Sequence, residues 1–192
     1  MMSDDSYFEY LKSRSAAGLF YRRFWLYPRL CRHLSGRLLD VGCGLGDMLA
    51  FRPDSVGVDI NPRTVEWCRT RGLDARLMRR NELPFESGAF SSILLDNVLE
   101  HLSDPEPLLE EIRRVLVDGG RLVVGVPGLR GYKADPDHKR YYSETELIKK
   151  LEEFHFNCKR LFYMPIKWKW LNNSVRQYCV YGVFDLITTK DI

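Results

Sequence analysis

The stretch Leu39-Asp40-Val41-Gly42-Cys43-Gly44-Leu45-Gly46-Asp47 decides the fold. A short apolar strand ends here, three glycines follow at alternate positions, and a helix begins. Glycine permits the tight turn and lets a ligand approach the backbone. The N–H groups at the start of a helix are unpaired and can bind a carboxylate or a phosphate. The stretch therefore predicts a ligand-binding turn at the carboxyl end of a strand.

Asp59, at the end of the next predicted strand, narrows the choice of ligand. A carboxylate beside the glycine loop can accept hydrogen bonds from two ribose hydroxyls, which indicates a nucleoside-containing ligand. A dinucleotide fingerprint places its third glycine where this chain has Asp47, and the Gly-Lys-Ser/Thr ending of a P-loop is missing. An acid at the loop's exit suits a positively charged ligand better than a pyrophosphate. A glycine-rich turn without a ligand is the remaining alternative.

The chain around this stretch predicts a parallel sheet. From residue 38 to residue 126, short apolar runs alternate with helical patterns, as in βαβ units. We expect strands at residues 37–41, 55–59, 75–78, 90–95, 121–126, 158–164 and 182–188. Within residues 1–36 we expect one or two helices that lie against the domain.

Capping residues predict where the main helices begin and end. A helix over residues 46–52 stays short because Pro53 ends it. Asn61 is the predicted N-cap of the next helix, and Gly72 is its stop. A further helix starts at Asp104-Pro105 and stops at Gly119-Gly120. A capping box of Ser143 with Glu146 precedes a helix that ends near Phe154.

Length and composition fit one globular domain. The 192 residues are 45% hydrophobic and 29% charged, which is enough to bury a sizeable core. No apolar run approaches the roughly 20 residues of a membrane helix, and the polar, acidic start is unlike a secretory signal. The five cysteines form no Cys-x-x-Cys pair. We therefore expect a reduced, cytoplasmic protein, and no metal site is predicted.

The net charge of +3 is unevenly distributed. Residues 1–37 and 155–192 each carry a net charge of +4, whereas residues 38–154 carry −5. Both basic ends are rich in aromatic side chains, which favours either an anionic partner or a solvated surface. Basic and aromatic residues together also suit nucleic acid. The small total charge, without a recognisable nucleic-acid-binding module, disfavours that partner.

The stretch from Asp40 to Gly46 resembles motif I of class I S-adenosylmethionine-dependent methyltransferases, in the small-molecule type 11 group. Three later segments resemble the same family in the same order: Leu83-Pro84-Phe85, Asn97-Val98-Leu99-Glu100-His101-Leu102 and His138-Lys139-Arg140-Tyr141-Tyr142-Ser143. The resemblance covers about residues 37–164 and the last strand. It implies a three-layer α/β/α Rossmann-like sandwich with a seven-stranded, mostly parallel sheet and an antiparallel last strand. Residues 1–36 would then form a helical lid, and residues 37–192 the methyltransferase domain.

The resemblance also implies S-adenosylmethionine as the cofactor and S-adenosylhomocysteine as its product. The cofactor-binding positions that it implies are the loop at Gly42, Cys43, Gly44 and Gly46, with Asp40 near the ammonium group, Asp59 at the ribose, Ile60 on the adenine, Asn81, Glu82 and Leu83 at the adenine edge, and Asp96 and Asn97 on the floor. The family usually has an acid about four residues before Leu-Pro-Phe, where this chain has Arg79. Asn81 or Glu82 would then replace it, or stacking alone holds the adenine.

Methyl transfer from a sulfonium mainly requires alignment in a dry pocket, so the lack of a catalytic triad is no objection. A base is needed only when the acceptor must lose a proton. His101 is the candidate base, with a structural hydrogen bond as the alternative role. His138, Arg140 and Tyr142 are the predicted contacts to the acceptor, and anchoring of the loop is the alternative role for His138.

The aromatic, arginine-rich N-terminus has three interpretations: a lid over the cofactor and an anionic acceptor, an amphipathic helix on a membrane surface, or a helix whose aromatic side chains pack on the domain. The stretch Lys167-Trp168-Lys169-Trp170 has the same three. The predicted function is S-adenosylmethionine-dependent methyl transfer to a small-molecule, lipid-linked or sugar acceptor. A methyltransferase-like binding or regulatory module without catalysis, and an NAD-dependent oxidoreductase, are the alternatives. The sequence predicts no oligomeric state.

Overall fold

A seven-stranded sheet forms the centre of the computed structural model, which describes residues 4–168 and 171–187. The strand order is β3-β2-β1-β4-β5-β7-β6. Neighbours from β3 to β5 are parallel, whereas β7 runs antiparallel to both β5 and β6. The strands are Leu38–Val41 (β1), Val56–Asp59 (β2), Ala75–Leu77 (β3), Phe90–Asp96 (β4), Leu116–Pro127 (β5), Phe156–Met164 (β6) and Cys179–Leu186 (β7). The predicted α/β fold class and its antiparallel last strand are confirmed.

Helices precede the sheet and connect its strands. The N-terminal group is Asp4–Lys12 (α1), Ala16–Tyr21 (α2), a π-helical turn at Arg22–Leu26, and Tyr27–Cys31 (α3). The later ones are Asp47–Phe51 (α4), Pro62–Arg69 (α5), a 3₁₀ turn at Leu99–His101, Glu106–Val115 (α6), Leu129–Lys133 (α7), Glu144–Glu152 (α8) and Leu171–Ser174 (α9). None of the described helices is long and apolar enough to cross a membrane.

The capping signals of α5 and α8 act as predicted. The Asn61 side chain accepts a hydrogen bond from the Arg63 N–H at 2.9 Å at the start of α5. The Ser143 hydroxyl accepts from the Glu146 N–H, and the Glu146 carboxylate accepts from the Ser143 N–H, which completes the capping box of α8. Helix α4 has only five residues, as the position of Pro53 requires.

Three predicted boundaries are wrong by more than two residues. Helix α6 ends at Val115 rather than at the predicted stop Gly119-Gly120, because Leu116 already begins strand β5. Strand β5 begins at Leu116 rather than residue 121, because Leu116 is buried and pairs with Phe90, and Gly119 absorbs the bend with a φ of +67°. Strand β7 begins at Cys179 rather than residue 182, because its backbone pairs with both flanking strands from that residue onward. These pairings depend on distant strands, so a local pattern does not reveal them. Residues 169, 170 and 188 of the predicted elements lie outside the described residues.

One part of the N-terminal segment packs in the core, and another part lies at the carboxyl ends of the parallel strands. Leu26, Tyr27, Leu30 and Leu34 belong to a buried cluster on one face of the sheet, together with Met48, Leu94, Val123, Met164 and Tyr181. Helix α1 instead lies across the ends of the strands, as the contacts below show. The expected division of the chain at residue 36 stays a prediction.

Candidate active site

The glycine loop between β1 and α4 has the backbone geometry that its sequence requires. Gly42, Gly44 and Gly46 have φ values of +76°, +53° and +77°, a region that other residues seldom adopt. A Cβ atom on Gly42 would lie 2.5 Å from the Val98 side chain, so a larger residue would also clash. The N–H groups of Gly42 and Cys43 donate to the Val58 carbonyl at 2.8 and 3.0 Å. The loop is thus fixed against strand β2.

Asp59 holds this loop with both carboxylate oxygens. Its Oδ2 accepts a hydrogen bond from the Gly44 N–H at 2.9 Å, and its Oδ1 accepts from the Asn61 N–H at 2.8 Å. The side chain is buried, and burial raises its pKa while these backbone hydrogen bonds lower it. Each carboxylate oxygen has two lone pairs. The Thr64 side chain and the Ile60 N–H also form hydrogen bonds with this carboxylate, so several donors hold it beside the glycine loop.

Four carboxyl groups lie near one another where the parallel strands end: Asp40, Asp47, Asp59 and Asp96. Asp40 is only 5% exposed. Burial raises the pKa of Asp40 to about 8, and the charges of Asp96 and Asp59 contribute to the shift. A cation placed among these groups would favour the charged form of each. The strand ends therefore form an anionic site.

Asp96 and Asn97, at the end of β4, form a hydrogen-bonded floor. The Tyr181 hydroxyl and the Asn97 side-chain amide both donate to Asp96 Oδ1 at 2.8 Å. The Arg22 guanidinium lies 3.9 Å from Asp96 Oδ2. Although burial lowers the pKa of Arg22, the neighbouring Tyr27 and Asp96 raise it well above its usual value. The N-terminal segment thus supplies a buried positive charge to this floor.

Helix α1 and the residues after it cover the glycine loop. A Cβ on Gly44 would lie 3.4 Å from the Leu11 side chain and 3.8 Å from that of Arg14. The Arg14 guanidinium donates to Asp47 at 2.7 Å. Burial and the charge of Asp59 raise the pKa of Tyr7 to about 12, which agrees with a position close to that carboxylate. This placement is the one that the lid interpretation requires, and the lid role stays a prediction.

The predicted adenine side contains accessible apolar side chains. Ile60 is 53% exposed directly after Asp59, and Leu77, which pairs with Asp59 in the sheet, is 50% exposed. A flat ligand on this side can therefore contact apolar surface.

The other predicted adenine contacts lie on or after a tight turn. Arg79 forms an exposed ion pair with Glu82 at 3.5 Å across this turn, in which Asn81 has a φ of +61°. The Leu83 side chain is instead buried in the core.

A second cluster lies beyond strand β4, where Glu100 and His101 of the 3₁₀ turn meet His138. The rings of His101 and His138 pack edge to face with centroids 4.6 Å apart. His138 Nδ1 lies 2.8 Å from the Tyr132 carbonyl, and its Nε2 lies 3.8 Å from Glu100 Oε1. Burial and the neighbouring His138 lower the pKa of His101. The structure thus brings together the predicted base and one predicted acceptor contact.

Glu100 is the residue of this cluster to which the sequence assigned no role. It is 1% exposed, and burial raises its pKa to about 8. The signal that marks it is an acid within the otherwise apolar run Val98-Leu99-Glu100. Of the other predicted acceptor contacts, Tyr142 packs in the core, and the Arg140 guanidinium lies 5.3 Å from the centre of its ring.

A surface patch of aromatic and basic side chains adjoins the N-terminal helices, and we call it the basic aromatic patch. The Trp25 indole N–H donates to the Pro165 carbonyl at 3.1 Å. This hydrogen bond joins the N-terminal helices to the segment that follows β6, and both contribute to the patch. The Arg29 guanidinium stacks on the Trp25 ring at 3.5 Å. Its exposed apolar side chains are Leu19, Phe20, Phe24, Trp25, Ile166 and Trp168.

Known proteins resemble this chain in sequence and in fold. Residues 39–124 match the sequence model of a family described as "Methyltransferase domain". A probable S-adenosylmethionine-dependent methyltransferase of Mycolicibacterium smegmatis is 30% identical over 165 residues, 76% of this chain and 64% of that protein. A demethylmenaquinone methyltransferase of Thermus thermophilus is 34% identical over 100 residues, 46% of each chain. The chain thus spans less than two thirds of either relative.

The fold of this chain is also similar to that of a solved methyltransferase. The crystal structure of a methyltransferase dependent on S-adenosylmethionine, from Archaeoglobus fulgidus, matches with a TM-score of 0.66 and 20% identity, over 89% of this chain and all of that one. The sequence model covers the glycine loop, Asp59 and the strands that present them. Residues 39–124 thus match the type 11 methyltransferase domain family in sequence, and the chain has the fold of a methyltransferase dependent on S-adenosylmethionine.

Proposed function

We propose that the chain binds S-adenosylmethionine at the glycine loop and transfers its methyl group to a small-molecule acceptor. The observation that carries this proposal is the pairing of Asp59 with the Gly44 N–H at 2.9 Å. That bond fixes the loop and the carboxylate relative to each other, and a carboxylate at the end of this strand suits the hydroxyls of a ribose. Ile60 supplies an exposed apolar surface for the adenine.

The charge of the site supports a cationic ligand. The sulfonium and ammonium groups of S-adenosylmethionine are positive, and Asp40 and Asp96 lie among the buried carboxyl groups of the strand ends. A cation there offsets the repulsion that raises the pKa of Asp40. The cofactor supplies the methyl group. The chain's residues hold it, exclude water and orient the acceptor.

The same carboxyl groups argue against the NAD-dependent alternative. A pyrophosphate at this loop would lie near Asp47, whose carboxylate already pairs with Arg14 at the start of α4. Helix α4 has only five residues, so its amino terminus offers little compensation for that repulsion. S-adenosylmethionine carries no phosphate and meets no such repulsion.

The acceptor is proposed to be anionic and presented from the side of the basic aromatic patch. Exposed Phe20 and Phe24 pack on each other, and the Arg29 guanidinium stacks on exposed Trp25. Aromatic and basic side chains together suit the boundary of an anionic membrane. This arrangement supports a lipid-linked acceptor over a free sugar. All five cysteines are free, which agrees with the reducing compartment expected for a cytoplasmic enzyme.

Calorimetric titration with S-adenosylmethionine and S-adenosylhomocysteine tests the proposal. We expect both to bind, and Ile60→Ala to weaken binding about fivefold, since the lost apolar contact is worth about 1 kcal/mol. Ile60 is exposed, so this variant should keep the stability of the wild type. Ile166→Ala is the matched control, because Ile166 is another exposed isoleucine and lies in the segment after β6.

Failure of the wild type to bind either compound would reject the proposal. Equal weakening by Ile60→Ala and Ile166→Ala would reject the assignment of Ile60 to the adenine. Binding of S-adenosylmethionine without methyl transfer to any anionic or lipid-linked acceptor would favour the alternative of a catalytically inactive module.

A further inference from the structure

Three potential metal ligands meet beside the proposed methyl-transfer site. Glu100 and His101 lie on the 3₁₀ turn after β4, and His138 comes from the segment between α7 and α8. One ligand atom from each residue can be chosen so that all three atoms lie within 4.8 Å of one another. Two separate parts of the chain, the 3₁₀ turn and the segment before α8, therefore bring these side chains together.

The Glu100 side chain is a second, independent observation that points to a ligand at this position. Its side chain is 1% exposed, and neither carboxylate oxygen has a hydrogen-bond partner among the described residues. A buried carboxyl without a partner is costly, and buried charges in proteins are normally paired or bound to a metal. The Glu100 carbonyl, by contrast, accepts from the N–H groups of Lys139 and Arg140. The backbone is therefore satisfied, and the side chain is not.

His138 is oriented as a metal ligand would be. A carbonyl oxygen can only accept, so the contact of 2.8 Å with the Tyr132 carbonyl places a proton on His138 Nδ1. In the neutral ring, Nε2 then carries the free lone pair, and this atom lies 3.8 Å from Glu100 Oε1. When Glu100 is ionised, two acceptor atoms therefore face each other, and a metal ion between them would bind both. Metal-bound histidines almost always donate their other N–H to such a carbonyl or carboxylate.

His101 completes the set in a similar way. Its ring packs edge to face on His138 and forms a hydrogen bond with the backbone of Asp137. The Tyr132 ring stacks on the opposite side of His138, with centroids 5.6 Å apart. Both imidazoles are therefore held by backbone hydrogen bonds and ring contacts, so their orientations do not depend on the metal.

We propose that Glu100, His101 and His138 bind a divalent transition metal, with Zn²⁺ as the best fit. Two imidazoles and one carboxylate are a ligand set of catalytic zinc sites, in which the fourth position takes water or substrate. Ligand atoms at about 2.0–2.1 Å from zinc lie roughly 3.4 Å apart in a tetrahedral site. The separations of up to 4.8 Å close to this value by small side-chain rotations.

The site changes the role assigned to His101. As a metal ligand, His101 is not free to act as a general base. The open metal position can instead hold an oxygen atom of the acceptor and favour its deprotonated form. This last step rests on the proposed methyl transfer, whereas metal binding does not.

Zinc binding by the chelator-treated full chain tests the proposal, with competition against a chromophoric chelator as the readout. We expect one Zn²⁺ per chain, and at least about 100-fold weaker binding in Glu100→Gln and in His138→Asn, since loss of even a supporting partner costs 10–100-fold. His155→Asn is the matched control, because His155 is exposed and its φ of +63° is tolerated by asparagine. This control should bind zinc like the wild type.

Substitution with Co²⁺ gives a second readout, because visible absorption of four-coordinate cobalt reports on its ligands. The wild type should show these bands, and Glu100→Gln should lose them while keeping its circular dichroism spectrum. Zinc binding that is equal in the wild type, Glu100→Gln and His138→Asn would overturn the proposal, as would no binding at all. Binding of S-adenosylmethionine to the same samples is measured separately, so the two proposals fail independently.

Discussion

Two buried carboxyl groups lie at the carboxyl ends of β2 and β4, the two strands that flank β1, and their surroundings are opposite. Asp59, after β2, is 4% exposed and accepts backbone hydrogen bonds at 2.9 and 2.8 Å, one on each oxygen. Glu100, just beyond β4, is 1% exposed and has no hydrogen-bond partner for either oxygen among the described residues. Burial alone therefore does not distinguish their roles.

Asp59 forms hydrogen bonds that stabilise the fold, whereas the Glu100 carboxylate forms none among the described residues. Removing the Asp59 carboxylate leaves two backbone donors without acceptors, and each such loss costs free energy. Removing the Glu100 carboxylate leaves no side-chain hydrogen bond broken, so the folded chain loses little. Mutations at the two positions should therefore affect stability in different ways.

Asp59→Ala should have the largest effect. Two orphaned backbone N–H groups at about 1–3 kcal/mol each predict a loss of about 3 kcal/mol in the free energy of unfolding. Because the glycine loop loses its anchor, we also expect binding of S-adenosylmethionine to weaken at least about 100-fold, since 1.4 kcal/mol corresponds to tenfold. Urea denaturation and calorimetric titration measure the two effects.

Asp54→Ala is the control for this variant. The Asp54 side chain is 69% exposed and forms a surface ion pair with Arg52, so its loss should change the free energy of unfolding little. If Asp59→Ala were no less stable than Asp54→Ala, the hydrogen bonds of Asp59 would not hold the loop.

Asp40→Asn should change the pH dependence of stability. The unfolded Asp40 carboxyl has a pKa near 3.8, whereas the folded one has a pKa of about 8. Between these values the folded Asp40 binds more protons, so its contribution to the stability of the wild type should fall as pH rises from about 4 to 8. The part of the slope due to Asp40 is at most about 1.4 kcal/mol per pH unit.

Urea denaturation at several pH values measures this slope. The slope should be smaller in Asp40→Asn, because asparagine does not titrate. Cofactor binding to the wild type at pH 7 should also release protons, since a bound cation favours the charged carboxylate. Identical pH profiles for the two proteins would show that Asp40 has no raised pKa in the folded chain.

The contrast between Asp59 and Glu100 also explains what could be predicted from sequence. The glycine loop and Asp59 lie within twenty residues of each other in local patterns of strand, turn and helix, so the sequence alone predicts that they bind one ligand together. Ile60 followed from the same resemblance. The physical constraints on these residues are local, because glycine dihedrals and helix caps depend on neighbouring residues.

The acceptor side depends on contacts between distant segments. Glu100 and His138 meet only because the chain after β5 folds back, so that the Lys139 N–H reaches the Glu100 carbonyl at 2.7 Å. The sequence predicted no metal site because metal-ligand spacings are local patterns, and this cluster has none. The extended start of β5 at Leu116 was missed for the same reason, since its pairing with Phe90 comes from tertiary contacts.

Glu100→Met should have the smallest effect and therefore tests the comparison most closely. Methionine is about as long as glutamate and is apolar, like the neighbouring Leu99, which is fully buried. In the presence of a chelator, urea denaturation should show a free energy of unfolding within about 1 kcal/mol of the wild type, or higher. Added Zn²⁺ should then stabilise the wild type and leave Glu100→Met unchanged, because only a site present in the native state gains from the ligand. A loss in chelator as large as that of Asp59→Ala would mean that the chain itself satisfies Glu100, and the two carboxyl groups would then be equivalent.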